Sequence, residues 1–226
     1  MIKNIREKLQ PFRYAILLVS SMLILFSVSI PNDSWGFKFF YAGFYLFNIL
    51  AGILVVDQYQ NFRSKFIRLV GLFLSLIIIV NLIANIPFFE SIIGLLFVIF
   101  ILSISIRVYK DIYAAKRVSS EIIAAVFCGY IYLGFITTFL FMAIEGLAPG
   151  SFNGIDETMN RFDNMLYFSF VSLLTIGYGD MTPNTSLTKS LVISIGLVGN
   201  FYSVIVTAII VGKFLLNYRS DAFEND

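Results

Sequence analysis

Long apolar stretches separated by short polar ones run through the whole sequence. Six stretches without a charged residue lie at 14–32, 39–56, 69–89, 91–106, 122–144 and 190–212. A helix needs roughly 20 apolar residues to cross the hydrocarbon core of a bilayer, so this pattern predicts six transmembrane helices. The fourth stretch is short, and we expect Arg107 to extend toward the lipid headgroups to complete it. The alternative is that the third and fourth stretches form a buried re-entrant pair.

Composition places the chain in the membrane and argues against enzymatic chemistry. Of 226 residues, 58% are hydrophobic and 13% charged, against roughly a quarter charged in soluble proteins. The net charge of +2 gives no indication of a nucleic-acid partner. There is no histidine, Cys128 is the single cysteine, and no acidic pair lies inside the apolar stretches. We therefore expect no enzymatic activity, no cofactor, no intrachain disulfide and no structural Cys/His metal site.

The basic residues orient the predicted helices. Six crossings with both termini in the cytoplasm leave Lys38, Arg161 and Lys189 outside, whereas the other thirteen of the sixteen Lys and Arg residues lie inside. Such a bias follows the positive-inside rule and predicts a multi-pass protein with cytoplasmic termini. The thirteen are Lys3, Arg6, Lys8, Arg13, Arg63, Lys65, Arg68, Arg107, Lys110, Lys116, Arg117, Lys213 and Arg219.

The segment between the fifth and sixth apolar stretches differs from the rest. Residues 145–161 are polar and glycine-containing, and the apolar run at 164–174 that follows is too short to cross a membrane. We expect it to enter the membrane as a half-helix, with Asn160 or Asp163 as its N-cap, and to return through the segment Thr-Ile-Gly-Tyr-Gly at 175–179.

Non-helical backbone at membrane depth occurs only where protein buries it or where it lines a water-filled path. Glycine tolerates positive φ, so the backbone of 175–179 can alternate between left- and right-handed conformations and turn successive carbonyls to one side. Carbonyl oxygens stacked in this way, with the hydroxyl of Thr175 at the inner end, can replace the water around a monovalent cation. The alternative is an ordinary turn.

The motif TIGYGD at 175–180 resembles the selectivity filter of the potassium channel superfamily, with Ile176 in place of the more common valine. The similarity extends through YFSFVSLLTIGYGDMTP and GLVGNFYSVIVTAIIVGKF, within 167–214. It implies an all-α membrane protein with six transmembrane helices, a re-entrant pore helix and a filter loop, assembled as a homotetramer around K⁺. The implied ion-binding residues are Thr175, Ile176, Gly177, Tyr178 and Gly179, with K⁺ held at the first four.

The resemblance also implies a division of the chain. We expect a voltage-sensor-like four-helix domain at 1–108, an interfacial linker with a short amphipathic helix at 109–119, a pore domain at 120–216 and a cytoplasmic tail at 217–226. A working voltage sensor carries basic residues at every third position of its fourth helix. The corresponding residues here are apolar, which predicts weak or absent voltage dependence. They are Ile92, Leu95, Val98, Ile101 and Ile104.

Several residues around the filter receive roles from the same resemblance. Asp180 is expected to bond to the hydroxyl of Tyr167, although an unpartnered aspartate at the outer mouth is the alternative. Phe168 is expected to support the filter. Gly199 is either a gating hinge or a site of close helix packing. The inner pore is expected to be lined by Tyr202, Val206 or Ile210.

The outer loops contain more acidic than basic residues. Arg161 and Lys189 face five carboxylates, which predicts an acidic outer vestibule that concentrates cations; a solvated loop without a role is the alternative. The five are Glu145, Asp156, Glu157, Asp163 and Asp180.

The sequence thus predicts a homotetrameric, passively conducting potassium channel in a prokaryotic plasma membrane, with lipids, K⁺ and further copies of the chain as its partners. Two alternatives remain at this stage. One is a less selective monovalent cation channel, in which Leu174 and Ile176 distort the filter. The other is a regulatory membrane subunit with a silent pore.

Overall fold

The computed structural model describes residues 8–29, 36–57, 59, 61–84 and 86–223. Helices with both ends inside these ranges are α1 Arg13–Phe26, α2 Phe37–Val56, α3 Phe62–Ala84, α4 Pro87–Ala114, α5 Ser120–Leu147, α6 Arg161–Leu173 and α7 Ser186–Phe223. Short 3-10 turns, Gln10–Phe12 and Ser27–Ser29, flank α1. Strands β1 Phe152–Asn153 and β2 Thr182–Pro183 form an antiparallel ribbon.

The described residues contain five helices long and apolar enough to cross a membrane, which are α2, α3, α4, α5 and α7. A shorter apolar helix, Gln10–Phe26, occupies most of the predicted first span at 14–32, whose last residues lie outside the described ranges. The prediction of an all-α membrane protein is therefore confirmed. The third and fourth stretches form two long helices and not a re-entrant pair.

The boundary between the third and fourth helices differs from the prediction. The third stretch was expected to extend through Phe89, but α3 ends at Ala84 and Phe89 already belongs to α4. Pro87 stands in the first turn of α4, where its missing N–H leaves no helical hydrogen bond unmade. The side chain of Asn81 accepts a bond from the backbone N–H of Ile86 at 3.0 Å and covers the break.

The fourth helix is much longer than the sixteen residues predicted for it. It continues past Arg107 to Ala114, because Arg107 pairs with Asp111 one turn later and its guanidinium lies 3.2 Å from the ring centre of Tyr59. The separate amphipathic helix expected at 109–119 is consequently the end of α4, followed by a loop at 115–119. Ser119 then caps α5 by accepting a bond from the N–H of Ile122.

A buried polar contact joins α1 and α2 to α5. Asn48 of α2 donates to Ser20 and Ser21 of α1 at 3.0 and 3.1 Å, and it accepts from the hydroxyl of Tyr132 of α5 at 3.2 Å. Because each group finds a partner, the cost of burying these polar atoms is offset. These contacts hold α1, α2 and α5 in one register.

The region after α5 positions the candidate site. The apolar run expected to form a half-helix is α6, and Asn160 is its N-cap, accepting a bond from the N–H of Asp163 at 2.8 Å. This confirms one of the two predicted caps. After α6 the chain passes through 175–179 and the ribbon into α7, whose described length reaches Phe223. Most of the predicted tail at 217–226 is therefore helical backbone.

Candidate functional site

The segment 175–179 has positive φ at every second residue. The φ angles are +57° at Thr175, +62° at Gly177 and +82° at Gly179. Glycine accepts this conformation without a Cβ penalty, and Thr175 is the single non-glycine residue among those described that has a positive φ. Such alternation turns successive carbonyls toward one side, as expected from the sequence. The strain at Thr175 was not expected, and it marks the inner end of the segment as held by its surroundings.

The inner half of the segment is tied to the C-terminus of α6 through its backbone N–H groups. The N–H of Ile176 donates to the carbonyl of Val171 at 2.9 Å, and that of Thr175 donates to the carbonyl of Ser172 at 3.1 Å. These bonds satisfy carbonyls that a helix end otherwise leaves without a partner. Because the N–H groups of Thr175 and Ile176 bond to carbonyls at the end of α6, this helix holds the strained backbone in place.

The outer end of the segment is held by the predicted bond between Tyr167 and Asp180. The hydroxyl of Tyr167 donates to Oδ2 of Asp180 at 2.6 Å. This hydrogen bond keeps the pKa of the Asp180 carboxyl below its usual value.

Phe168, the neighbouring residue on α6, does not point toward Asp180. Its buried ring packs against Phe141 and Phe152, each with a centroid distance of 5.4 Å. Its support for the filter is therefore indirect, through α5 and β1.

The outer loop after α5 folds back onto the same end. The carboxylate of Glu145 accepts bonds from the N–H groups of Gly150 and Phe152 at 2.7 and 3.1 Å, and β1 pairs with β2 immediately beyond the filter. At Gly154, with φ +75°, an added Cβ would overlap the backbone carbonyl oxygen of Asp180. The loop therefore forms a close-fitting frame around the outer end of the segment.

This frame corrects the predicted acidic vestibule. Glu145 and Asp163 are buried, at 7% and 2% exposure, and their carboxylates bond to neighbouring groups. A buried, hydrogen-bonded carboxylate contributes to the fold more than to the potential at the mouth. The exposed carboxylates of the predicted five are Asp156, Glu157 and Asp180.

A second contact links the four-helix region to the start of α6. The hydroxyl of Tyr41, near the outer end of α2, donates to Asp163, which also accepts from the side chain of Asn160 at 2.6 Å. Burial raises the pKa of the Asp163 carboxyl. Tyr45 packs on Phe162 beside this bond with a centroid distance of 6.0 Å. The N-terminus of α6 is thus fastened to α2 of the same chain, a contact that the sequence analysis missed.

Gly199 lies at a point of close approach between α7 and α6. An added Cβ would lie 2.8 Å from Cδ1 and 2.9 Å from the carbonyl oxygen of Leu173. This geometry supports the close-packing alternative for Gly199, and α7 continues through it as one helix. A hinge role stays a prediction.

The α7 residues predicted to line the inner pore contact α5 or line a cavity beside it, and their role in a pore stays a prediction. The hydroxyl of Tyr202 donates to the carbonyl of Val126 of α5 at 2.7 Å, and Val206 is 9% exposed, so both side chains pack inside the chain. Ile210 is half-buried and its role stays a prediction. An apolar cavity of about 670 Å³ lies beside Leu174, and its α7 wall includes Tyr202, Val206 and Ile210 together with an exposed row. The row, at four-residue spacing on one helix face, is Ser203, Thr207 and Val211.

Comparison with known proteins agrees with this geometry. Residues 125–215, which include α6, the strained segment and most of α7, match a family model described as "Ion channel". Over these residues the chain is similar to ion channels. The match supports the potassium channel superfamily expected from the sequence, and the long apolar helices are those of a multi-pass membrane protein.

Two curated relatives share parts of the chain. It is 39% identical over 67 residues to a two pore potassium channel c of Oryza sativa subsp. japonica, which covers 29% of this chain and 15% of the relative. It is 39% identical over 41 residues to a hyperpolarization-activated voltage-gated potassium channel of Methanocaldococcus jannaschii, covering 18% of this chain and 20% of the relative. The matched segments are therefore about a fifth or less of either relative.

No solved structure matches the chain. The family description and both relatives are of channels, which supports the expectation that the chain is not an enzyme.

Proposed function

We propose that the chain forms a potassium-selective channel that conducts K⁺ passively, with residues 175–179 as its filter. The observation that carries this proposal is the alternation of positive φ at Thr175, Gly177 and Gly179 in a segment fastened at both ends. Potassium channels are the type case of a filter built from rings of backbone carbonyls that replace the hydration shell of the ion. Thr175, Ile176, Gly177 and Tyr178 would hold K⁺, and the chain would need no other cofactor.

The proposal of a homotetramer is supported by how little of the site one chain encloses. The filter segment is exposed in the single chain, with Ile176 47% and Tyr178 72% accessible. Only 11% of the most apolar part of α7 is buried, against 56% for α5. Irregular backbone at membrane depth requires burial in protein or contact with a water-filled path. Four copies around a closed axis would provide both, each contributing one wall of the filter.

We also propose that conduction depends weakly or not at all on voltage. Moving one elementary charge across the membrane potential supplies about 2.3 kcal/mol per 100 mV, and steep gating needs several such charges per subunit. The positions of α4 at which a sensor carries basic residues are apolar from Ile92 to Ile104. Arg107 is the first basic residue after them, and its pairing with Asp111 on the same helix holds its charge in place.

The location proposed is the plasma membrane of a cell, with both termini in the cytoplasm. Support comes from the basic residues, thirteen of which fall on one side of the predicted topology. Arg63, Lys65 and Arg68 at the start of α3 belong to this group, as do Lys116 and Arg117 in the loop before α5. The α6 helix and the filter would then open toward the outside.

The test is potassium efflux from liposomes that contain the purified full-length protein. We expect efflux that runs down the K⁺ gradient, stops on addition of Ba²⁺ and is absent from protein-free liposomes. Equal efflux rates for K⁺ and Na⁺ would instead support the less selective cation channel. Absence of any Ba²⁺-sensitive flux from a protein that migrates as a tetramer would support the silent subunit.

A further inference from the structure

The inner end of α4 is capped by a side chain from α7. The last carbonyls of a helix have no partner within it. Here Nζ of Lys213 donates to the carbonyl of Ile112 at 2.9 Å and to that of Tyr113 at 3.0 Å. The ammonium thus lies at the negative end of the α4 dipole, where a cation is stabilised. Lys213 is a hundred positions away in sequence, so the cap joins two separate parts of the chain.

A second contact between α4 and α7 lies nearer the middle of α7. The rings of Tyr109 and Tyr202 are 6.0 Å apart at their centroids, and the hydroxyl of Tyr109 donates to the carbonyl of Gly129 of α5 at 3.0 Å. A Cβ at Gly129 would lie 2.6 Å from the hydroxyl oxygen of Tyr202 and 3.0 Å from the ring of Tyr109. Glycine at this position therefore allows α4, α5 and α7 to meet.

These two contacts lie on one side of α7, and its exposed row lies on another. Tyr202 and Lys213 reach toward α5 and α4, whereas Ser203, Thr207 and Val211 are accessible in the single chain. The loop at 115–119 is five residues long, so α4 and α5 of the same chain stay close together at this end. The two contacts therefore hold the inner half of α7 against α4 and α5 of its own chain.

We propose that Lys213 is a positioning residue that holds the inner half of α7 against the end of α4 and so stabilises the conducting arrangement of the inner pore. This inference rests on the proposed channel function and concerns its regulation. A movement that brings the inner ends of four α7 helices together while α4 stays in place would break the bonds to Ile112 and Tyr113. The four-helix domain would then act on the gate by direct contact with α7, without moving charge through the membrane field.

Substitution of the lysine is the first test, measured as Ba²⁺-sensitive K⁺ efflux from liposomes. We expect Lys213→Met to reduce the rate to at most about a fifth of wild type, the lower end of what one coupling contact supplies. Lys213→Arg keeps a donor at the helix end and should stay within about twofold of wild type. Lys189→Met, an exposed lysine at the outer end of the same helix, is the matched control and should not change the rate. Unchanged or faster efflux in Lys213→Met would overturn the proposal.

Crosslinking separates positioning from a general loss of fold. Cys128 is the single cysteine, so a Cys128→Ala background accepts the pair Tyr113→Cys and Lys213→Cys, and Tyr113 is 68% exposed. Without a crosslinker the double variant should conduct as poorly as Lys213→Met. A short bis-thiol reagent should return efflux to within about twofold of the background protein, with K⁺ preference over Na⁺ unchanged throughout. Verified crosslinking that leaves efflux low would contradict the proposal.

The two proposals fail in different ways. If the wild-type protein gives no Ba²⁺-sensitive efflux, the channel function itself is wrong. If the wild type conducts and Lys213→Met conducts equally well, only the role of Lys213 is wrong.

Discussion

The outer and inner halves of the ion-channel domain are held in different ways. Around the outer end of segment 175–179, side chains from three helices bond to the loop, the ribbon and α6, as Glu145, Tyr167 and Tyr41 illustrate. At the inner end, the described contacts of α7 are concentrated at Tyr202 and Lys213, next to a cavity of about 670 Å³.

This difference indicates where the molecule can move. A filter that replaces the hydration shell of an ion needs fixed carbonyl positions, and the outer frame can provide them. A gate needs two arrangements of similar free energy, and an element held by few contacts can change position at low cost. We therefore expect selection at the outer end and opening at the inner end.

The largest expected effect comes from the strained backbone of the filter itself. Gly177→Ala places a Cβ at φ +62°, where a side chain is strained by about 1–3 kcal/mol. Four copies act together in the proposed tetramer, so K⁺ efflux should fall by about 100-fold or more. Gly94→Ala in α4, where an added Cβ has open space, is the control and should retain efflux. Normal K⁺ efflux through Gly177→Ala would show that conduction does not require the positive φ at this position.

The next effect tests the fit of the outer loop against the filter. Gly154 and Gly150 both have positive φ, but an added Cβ would overlap Asp180 at Gly154 and would meet open space at Gly150. Gly154→Ala should therefore reduce K⁺ efflux about tenfold, while Gly150→Ala should retain most of it, because it carries only the backbone strain of about 1 kcal/mol. Equal losses in the two variants would show that the loop does not brace the filter.

A smaller effect is expected at the bond between Tyr167 and Asp180. Tyr167→Phe removes the donor, so selectivity for K⁺ over Na⁺ should fall a few-fold or inactivation should accelerate, as measured by currents in planar bilayers. Currents identical to wild type would show that the bond does not stabilise the filter. Tyr113→Phe, an exposed tyrosine at the inner end of α4, serves as the control.

The same bond predicts a pH dependence of the outer mouth. The pKa of Asp180 is lowered because the Tyr167 hydroxyl donates to its charged form. A lowered carboxyl pKa means that the contribution of the bond is present at neutral pH and is lost as pH falls through that pKa. In Tyr167→Phe the pKa should return toward its ordinary value of about 4, so external acid should inhibit this variant at a higher pH than wild type. Coincident inhibition curves would contradict this assignment.

The smallest expected effect concerns voltage. The conductance of the wild type in symmetrical K⁺ should change little over about 100 mV in either direction, because Arg107 is paired with Asp111 on its own helix. Arg107→Gln should lower expression or stability, since it leaves a buried carboxylate without its cation, yet it should leave the shallow voltage dependence unchanged. A steep curve in the wild type that flattens in Arg107→Gln would show that Arg107 is a gating charge.

The sequence was sufficient for features that depend on neighbours along the chain. The spans follow from apolar stretches of sufficient length, and the positive φ angles at Gly177 and Gly179 follow from glycines placed two residues apart, whereas the positive φ at Thr175 does not. The Asn160 cap and the bond between Tyr167 and Asp180 lie within short segments of chain. The continuation of α4 beyond Arg107 could also have been predicted, because Arg107 and Asp111 are one helical turn apart and can form an ion pair on a helix.

Features that depend on distant residues could not be predicted. Glu145 and Asp163 were assigned to a charged vestibule, because nothing in the sequence shows that a loop and α2 bury them. The direction of the Tyr202 side chain could not be predicted for the same reason, since it is decided by contacts with α5 and α4. The cap by Lys213 joins residues a hundred positions apart, and no local sequence pattern predicts it.

The most direct test of the carbonyl filter is the reversal potential of single channels between K⁺ on one side and Na⁺ on the other. If the carbonyls of 175–179 replace the water around K⁺, current should reverse close to the equilibrium potential of K⁺, and Gly177→Ala should abolish the currents. A reversal potential near zero would show that the filter does not distinguish the two ions, and the central claim would be wrong.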